Sequence, residues 1–406
     1  MIEANNNETN LRDWGQNILM IPIETVVQNG RIQAALAHFP DIVPEIVEQA
    51  IAIQQIPAPT FAEAERAAYI ESRFVEVGLV DVVQDELHTV YGRFPGHQPN
   101  GRSPVIISAH SDTVFPADTD LTVRREGHLT HGPGIGDNST GVAGLIALAE
   151  SLRLHEIRPL SDIWFVSNVR EEGLGDLLGM RAVVERFGAE ATYLVVEGGL
   201  YGQISHQAIG VERYEIVIRT AGGHSWGNFG RRSAIHELGR LITAVDSLKV
   251  PTHPKTTYNV GVIEGGTSIN TVAQSAKMLL DLRSEEPRQL AILVAEVEKL
   301  IAKMARQSDI SVEMSQIGSR PAGHIQRDAP LVQQAMLALR HVGCQQISTI
   351  ASSTDANVPL SRGFTAVCIG LTESGNVHRL DEYMDSTYLP AGMSQLLLLT
   401  LAVAGI

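Results

Sequence analysis

Cysteine is scarce in this sequence, and the cysteines present do not form a pattern typical of disulfide-rich or zinc-ribbon proteins. Only Cys344 and Cys368 occur, and neither belongs to a C-x-x-C pair. We therefore expect a protein of a reducing compartment, with the cytoplasm as its location. Internal repeats and low-complexity segments are also lacking. The chain has 406 residues, of which 44% are hydrophobic, so it is long enough for two domains or one large one.

Basic residues are scarce relative to acidic ones. There are 31 Lys and Arg against 46 Asp and Glu, which gives a formal net charge of -15. Because binding to phosphate backbones depends mainly on Lys and Arg, nucleic acid is not an expected partner. No uninterrupted apolar run is long enough to cross a membrane, and the polar start MIEANNNETNLRDW lacks a basic region followed by an apolar one. We therefore expect neither secretion nor a membrane partner.

Apolar runs alternate along the chain with amphipathic segments of helical length. Strand-like runs occupy residues 105–109, 163–169, 191–196 and 365–370, and helical patterns such as GVAGLIALAESLRL separate them. This alternation predicts an α/β fold with a mixed, mostly parallel sheet and helices on both faces.

The stretch from about residue 209 to residue 318 follows a different order. It reads as strand, helix, two strands, helix and strand, which is the β-α-β-β-α-β order of a ferredoxin-like α+β unit. We predict that this unit is an inserted domain. The predicted boundaries are 1–207 and 319–406 for the two parts of the sheet domain, and 208–318 for the insertion.

Acidic and imidazole side chains follow the predicted strands at the point where each strand ends. Ligands of open α/β sheets gather outside the carboxyl ends of the strands, so these side chains are expected to converge. A mixed set of histidines and carboxylates is typical of zinc or a similar divalent metal, and two metals in one such site lie roughly 3.5 to 4 Å apart. The residues favour a dinuclear hydrolase. They are His110, Asp112, Asp137, Glu171, Glu172, Glu197 and His378.

Seven short motifs, taken in order, resemble those of one known family. They are HSDTV, GPGIGDNSTG, REEG, VVEGG, GGHSWGNFG, GGTSIN and GNVHRLDE. The family is that of the co-catalytic zinc metallopeptidases, which includes glutamate carboxypeptidase, aminoacylase, peptidase T and succinyl-diaminopimelate desuccinylase. The resemblance implies a zinc-exopeptidase-like fold and hydrolysis of an amide bond in a small peptide or an N-acyl amino acid. It also implies that the inserted domain is a lid through which the chain forms a homodimer.

The resemblance further implies two divalent metal ions per chain, zinc first, with cobalt or manganese as alternatives. Asp137 would bridge them, because His110, Asp137 and Glu197 match the ligands of one metal, and Asp137, Glu172 and His378 match those of the other.

The remaining roles follow from the same resemblance. Asp112 would accept the second ring N–H of His110, and Glu171 would be the general base that activates the water between the metals. His224 would donate to the tetrahedral intermediate, in relatives from the partner subunit. Asn270 and Arg320 would bind the carboxylate of the substrate.

Departures from the family pattern keep the substrate open between dipeptides, tripeptides and N-acyl amino acids. Trp226 stands where relatives often carry a small residue, and Ala273 where many carry proline. Two alternatives lie outside hydrolysis: an inactive metal-binding or ligand-binding relative, and a nucleotide-dependent oxidoreductase that uses the loop GPGIGD. The complete ligand set with Glu171 disfavours the first alternative, and the lack of a third glycine disfavours the second.

Several other polar residues near these motifs have ordinary structural interpretations. His128 and His131 are expected to be polar loop groups, Arg283 to form a structural ion pair, and Asp355 to cap a helix. A location in the lining of the cleft is the alternative for both Arg283 and Asp355.

Overall fold

A large mixed sheet lies at the centre of the computed structural model, which describes residues 20–406. Residues 1–19 of the predicted first domain are outside the described residues. In chain order the strands are β1 (Val80–Gln84), β2 (Val90–Phe94), β3 (Val105–His110), β4 (Arg124–Glu126), β5 (Leu129–His131), β6 (Ile163–Asn168), β7 (Thr192–Glu197), β8 (Gln203–Ala208), β9 (Gly210–Thr220), β10 (Gly223–His224), β11 (Thr256–Gly265), β12 (Thr271–Val272), β13 (Ser275–Ser284), β14 (Ile310–Arg320), β15 (Gly323–His324), β16 (Ser348–Ser352), β17 (Ala366–Gly370), β18 (Glu373–Gly375) and β19 (Tyr383–Asp385).

The α-helices are distributed along the whole described part of the chain. They are α1 (Ile23–Val26), α2 (Gly30–His38), α3 (Val43–Gln54), α4 (Ala64–Glu76), α5 (Thr140–Leu154), α6 (Leu178–Phe187), α7 (Ala234–Asp246), α8 (Pro287–Ala305), α9 (Pro330–His341), α10 (Asn357–Ser361) and α11 (Leu389–Ala404).

The large sheet has the order β1-β2-β6-β3-β7-β17-β8-β15, and β16 pairs with β8. Its four central strands, β6, β3, β7 and β17, are parallel neighbours, and they are the four strands predicted from the apolar runs. The strands on either side pair mainly antiparallel. The predicted α/β fold with a mixed sheet is therefore confirmed, and the parallel pairing is concentrated at the centre.

Helices cover both faces of the large sheet, because its central strands are apolar on both sides. All six residues of β3 are buried. Side chains of α3, α5, α9 and α11 form the core on one face, and α6 and α10 pack on the other. The segment Ser386–Ala404 has the length and hydropathy of a membrane span, but 78% of it is buried inside the protein. It is a core helix of this fold.

A second sheet, here called the inserted sheet, is built from β9, β11, β13 and β14. Its order is β11-β13-β9-β14 with antiparallel pairing throughout, and α7 and α8 cover one face. The alternating burial of β13 explains this layer, since every second side chain points into the core beneath the helices. The chain thus has the predicted ferredoxin-like order of elements. The short β10–β12 ribbon was not predicted.

A small side sheet, with the order β18-β19-β5-β4, lies next to the end of the large sheet. It pairs Tyr383 with His131, so the segment after His378 runs beside the glycine-rich loop 132–137. This pairing brings together two segments that are far apart in sequence.

Candidate active site

The carboxyl ends of the central strands meet at one edge, and the predicted polar residues lie there. In the parallel register His110 is opposite Asn168, and Glu197 is opposite Gly370. The edge opens into a cleft of about 450 Å³. Its lining includes His110, Asp137, Glu171, Glu172, Glu197, Arg320 and His378.

Asp137 lies between two histidines, and each of its carboxylate oxygens faces a different one. Its Oδ1 is 3.0 Å from His110 Nε2, and its Oδ2 is 3.1 Å from His378 Nε2. Glu197 Oε2 is 3.7 Å from His110 Nε2, and Glu172 Oε1 is 2.9 Å from His378 Nε2. The ligand atoms of His110, Asp137 and Glu172 all lie within 4.8 Å of one another. The five predicted ligands therefore form one cluster with Asp137 at its centre.

The loop that carries Asp137 approaches the end of β7 very closely. A Cβ atom at Gly198 would lie 2.0 Å from the carbonyl oxygen of Gly136, so only glycine fits there. Asn138 donates from Nδ2 to the carbonyl of Val196 at 2.8 Å. These contacts set the distance between Asp137 and Glu197.

Asp112 organises the two adjacent glutamates. Its carboxylate accepts the backbone N–H groups of Glu171 and Glu172, both at 2.9 Å, and the hydroxyl of Thr60 at 2.9 Å. His110 Nδ1 lies 3.2 Å from the backbone carbonyl of Asp112 and 3.6 Å from its carboxylate Oδ1. The carbonyl thus makes the shorter contact with the ring nitrogen, which fixes the orientation of the ring.

Glu171 is buried beside a guanidinium group. Arg320 Nη1 donates to Glu171 Oε1 at 2.9 Å and to the hydroxyl of Ser353 at 3.3 Å. The side chain of Arg320 is 6% exposed. Arg320 lines the cleft, but its guanidinium is engaged with Glu171.

The cluster perturbs the ionisation of its own members. Burial raises the pKa of Glu172 to about 8 and that of Glu197 to about 7. Burial also raises the pKa of Glu171, although the positive charge of Arg320 acts to lower it. Burial also acts to raise the pKa of Asp137, but hydrogen bonds with His110 and His378 outweigh it and lower that pKa. Hydrogen bonds with Asp137 and Glu172 raise the pKa of His378 to about 10.

The chemistry of these donors fits divalent metal ions. Five acidic side chains, those of Asp112, Asp137, Glu171, Glu172 and Glu197, share this edge with two imidazoles and one guanidinium. Buried carboxylates are stable only when they are paired or bound to a metal. Imidazole nitrogen and carboxylate oxygen are the ligands of zinc, cobalt and manganese sites. The two oxygens of Asp137, each facing a different histidine, suit a carboxylate shared between two ions.

His224 and Asn270 lie on the inserted domain, away from the cluster. Both side chains are exposed. They are also close to each other, because His224 pairs with Thr271, the residue after Asn270, in the β10–β12 ribbon. Neither belongs to the lining of the cleft in the described part of the chain. His224 Nδ1 accepts the backbone N–H groups of Trp226 at 3.2 Å and Gly227 at 3.3 Å, so the neutral ring carries its proton on Nε2.

Arg283 and Asp355 both have defined partners within the chain. Arg283 pairs with Asp281 at 2.7 Å, which confirms the predicted ion pair. The prediction that Asp355 caps a helix is wrong. Its buried carboxylate accepts from Asn168 Nδ2 at 2.7 Å, and α10 has no side-chain cap. The carboxylate is fully buried, and its hydrogen-bond partner is the amide of Asn168 and not a backbone N–H of the helix.

The two loop histidines take no part in the cluster. His128 lies 3.6 Å from Asp385, and His131 lies 3.6 Å from Glu126. His128 lies in the turn between β4 and β5, as predicted, whereas the prediction of a loop is wrong for His131, because pairing with β4 and β19 makes it the last residue of β5.

Two residues of the site were missed from the sequence. Arg213 of the inserted sheet lines the cleft and donates to the carbonyl of Gly173 at 2.6 Å, next to Glu172. Glu382 is fully buried and accepts three backbone N–H groups of the glycine-rich loop. The acidic residue four positions after His378 was a visible signal, but its partner is about 245 positions away along the chain.

The glycine-rich loop is not available for the phosphates of a nucleotide. The backbone N–H groups of Gly134, Gly136 and Asp137 all point at the carboxylate of Glu382. A dinucleotide site needs such N–H groups for its pyrophosphate. The geometry therefore counts against the oxidoreductase alternative.

Comparison with known proteins finds relatives and solved structures that span most of the chain. The chain is 24% identical over 372 residues to YqjE of Bacillus subtilis, an uncharacterized protein, and this match covers 84% of the chain and 93% of YqjE. Its fold is similar to that of a tripeptidase from Staphylococcus aureus, with a TM-score of 0.76, 19% identity, and coverage of 89% of this chain and 98% of the tripeptidase. The fold is also similar to YXEP of Bacillus subtilis, described as a dinuclear metal binding peptidase, with a TM-score of 0.65, 16% identity, and coverage of 90% and 97%.

The sequence profile of one family matches most of the chain. It is that of peptidase family M20/M25/M40, and the match extends over residues 106–401, which contain every residue of the cluster. The chain therefore belongs to peptidase family M20/M25/M40, and it is a metallopeptidase that hydrolyses amide bonds.

Proposed function

We propose that the protein is a dinuclear, zinc-dependent exopeptidase or aminoacylase that hydrolyses the amide bond of a small peptide or an N-acyl amino acid. One observation carries this proposal. The carboxylate of Asp137 faces His110 with one oxygen and His378 with the other, at 3.0 Å and 3.1 Å. Such a carboxylate is suited to hold two metal ions at once.

The ligands divide into two groups around Asp137. One metal would be held by His110, Asp137 and Glu197, and the other by Asp137, Glu172 and His378. Zinc suits this set best, and cobalt or manganese would replace it with the same ligand types. When bound, the metals would polarise the amide carbonyl and lower the pKa of a water molecule held between them.

Glu171 is the proposed general base. It lines the cleft and is next to the proposed ligand Glu172 in the sequence. In the described part of the chain its ion pair is with Arg320, and it forms none with His110 or His378. Its carboxylate would accept a proton from the attacking water and return it to the nitrogen of the leaving amine. Burial raises the pKa of this carboxyl above the usual value of a glutamate, against the charge of Arg320, and such a shift makes a carboxylate a stronger proton acceptor.

Asp112 and Arg320 position this base. The carboxylate of Asp112 accepts the backbone N–H groups of Glu171 and Glu172 and so fixes the backbone of both glutamates. Arg320 donates to the carboxylate of Glu171 and orients it. A role of Arg320 in binding the substrate carboxylate requires it to share its guanidinium with Glu171. That role of Arg320, and the matching role of Asn270, stay predictions.

His224 is the proposed donor to the tetrahedral intermediate. Its Nδ1 is occupied by two backbone N–H groups, so Nε2–H is free to donate outward. The side chain is exposed and lies outside the cleft of its own chain. This supports a donor that enters the cleft of a second copy.

The inserted domain has a surface suited to such a second copy, here called the apolar edge. Strand β11 is an edge strand of the inserted sheet, and large apolar side chains lie exposed on it, on the segment 266–270 that follows it, and on the segment 225–233 between β10 and α7. They are Trp226, Phe229, Val262, Ile263 and Ile269. We therefore propose a homodimer formed through this domain. A cytoplasmic location is proposed as well, since both cysteines are free thiols.

An activity screen tests the proposed function. Purified protein is stripped of metal, reloaded with zinc, cobalt or manganese, and assayed on dipeptides, tripeptides and N-acyl amino acids. Hydrolysis that requires the metal, is lost with a chelator and is restored by reloading is expected. Absence of metal-dependent hydrolysis on all three substrate classes would contradict the proposal and favour an inactive relative.

A further inference from the structure

One carboxylate outside the metal cluster, that of Glu382, joins the segments that carry two of its ligands. Its side chain is 0% exposed. Its Oε1 accepts the backbone N–H groups of Gly136 at 2.8 Å and Asp137 at 2.9 Å, and its Oε2 accepts that of Gly134 at 3.2 Å. Its backbone carbonyl accepts a further N–H, from Gly132 at 2.9 Å.

These four hydrogen bonds determine the shape of loop 132–137. The loop lies between β5 and α5, and Gly134 has a φ of 73°, in the left-handed region. Of the five backbone N–H groups in this loop, four bind Glu382, and the fifth, that of Ile135, donates to the carbonyl of Gly132 at 3.2 Å, so Glu382 is the main acceptor that holds the loop. The donor at its end is the N–H of Asp137 itself. The backbone of the central ligand is thereby fixed directly.

The other end of the connection is the segment that carries His378. The N–H of Glu382 donates to the carbonyl of Arg379 at 3.1 Å, and the N–H of Arg379 donates to that of Asn376 at 3.0 Å. These turns tie Glu382 to the backbone on both sides of His378. The pairing of β19 with β5 anchors the same segment one residue later.

We propose that Glu382 is a positioning residue that sets Asp137 against His378 and thereby determines the affinity of the site for metal. The inference rests on the proposed function, because it takes both residues as metal ligands. Glu382 does not contact the metal ions or the substrate in this assignment. It acts by holding the loop of one ligand and the turn of the other in a single arrangement before any metal arrives.

Metal titration of stripped protein tests the inference. Isothermal titration with Zn²⁺ at pH 8 compares the unchanged protein with Glu382→Gln. The amide of glutamine has the same shape as the carboxylate, but its NH₂ group would face an N–H donor of the loop. We expect the zinc affinity to fall by roughly 10- to 100-fold, the loss typical of residues that orient metal ligands. The midpoint of thermal unfolding of the metal-free protein serves as the check on folding.

A matched control and a second variant complete the test. Asp162→Asn changes another partly buried carboxylate that accepts a backbone N–H, from Gly96 at 2.8 Å, but it precedes β6 at the strand end opposite the cluster, and it should retain the original affinity. If Glu382→Gln does not fold, Glu382→Asp, which keeps the charge and shortens the reach, is titrated instead.

The outcomes separate the two levels of the proposal. Two zinc ions bound by the unchanged protein and weaker binding in the Glu382 variant that folds, with Asp162→Asn unaffected, support the inference. Equal affinity in the folded Glu382 variant overturns it and leaves the proposed function intact. Fewer than two zinc ions in the unchanged protein overturns the dinuclear assignment, and the inference falls with it.

Discussion

The edge of the large sheet that carries the acidic cluster, here called the cluster edge, has side chains that are buried and bonded within one chain, whereas the apolar edge of the inserted domain exposes its side chains. At the cluster edge, His110, Asp112 and Glu171 are only 2%, 0% and 6% exposed, and each has partners within the chain. At the apolar edge, Trp226 and Phe229 are 88% and 92% exposed. These side chains of the cluster edge have their partners within one chain, whereas those of the apolar edge are exposed to water.

This difference has a physical consequence for how the site is assembled. Exposed apolar area costs roughly 25 cal/mol per Å² relative to burial, so a second chain that covers the apolar edge would be stabilised there. His224 ends β10, two residues before the exposed Trp226. All the proposed metal ligands and the proposed base lie in one chain, and we expect the oxyanion donor to arrive with its partner.

The largest effect is expected at the cluster edge, from loss of the base. Glu171→Gln removes the proton acceptor without removing a proposed ligand, so kcat should fall by roughly 10² to 10⁴ while metal content stays the same. The matched variant Glu172→Gln should instead lower metal content, measured by elemental analysis. If Glu171→Gln strips metal and Glu172→Gln does not, the two roles are reversed.

The next effect connects the two edges. His224→Ala should lower kcat by roughly 10² to 10³ with metal content and folding unchanged, because the lost hydrogen bond would exist mainly in the transition state. His236→Ala, another exposed histidine of the inserted domain, is the control and should keep its activity.

Mixing the inactive variants shows which chain supplies the donor. Glu171→Gln and His224→Ala chains, unfolded and refolded together, should regain part of the activity, since some mixed dimers would contain one intact site. An unimpaired His224→Ala enzyme would remove the catalytic role of His224. An impaired enzyme that never regains activity in the mixture would assign the donor to its own chain.

The smallest effect is expected at the apolar edge alone. Phe229→Ser removes a large ring from the proposed interface, so the dissociation constant of the dimer should rise roughly tenfold. Light scattering during size-exclusion chromatography over a range of concentrations measures it. Leu154→Ser, at an exposed apolar residue of the large-sheet domain, is the control. A protein that is monomeric at every concentration before any substitution would contradict the homodimer.

Much of the cluster could be predicted from the sequence because its residues sit directly at strand ends. His110 ends β3 and Glu197 ends β7, so recognising two buried strands was enough to place both side chains at the same edge. β13 is one of the strands predicted for the insertion, and every second side chain of it is buried. Local patterns were sufficient wherever the regular spacing of a strand fixed the direction of the side chain.

The remaining features depend on contacts between distant segments. In the sequence Glu382 is a polar residue of GNVHRLDE with no sign of its partner. The pairing of β19 with β5 brings it to the glycine-rich loop. Asp355 has the local sequence of a helix cap, but burial beside Asn168 decides its partner. Arg320 was expected to face the substrate and is bonded to Glu171. Propensity and spacing carry no information about such partners.

The metal content of the purified protein tests the dinuclear site most directly. After loading with zinc and removal of excess metal, elemental analysis should find about two equivalents per chain, because Asp137 offers one oxygen to each group of ligands. Asp137→Ala should lower this value sharply. Reproducible saturation at one equivalent, unchanged by Asp137→Ala, would contradict the bridging role of Asp137 and the dinuclear site built on it.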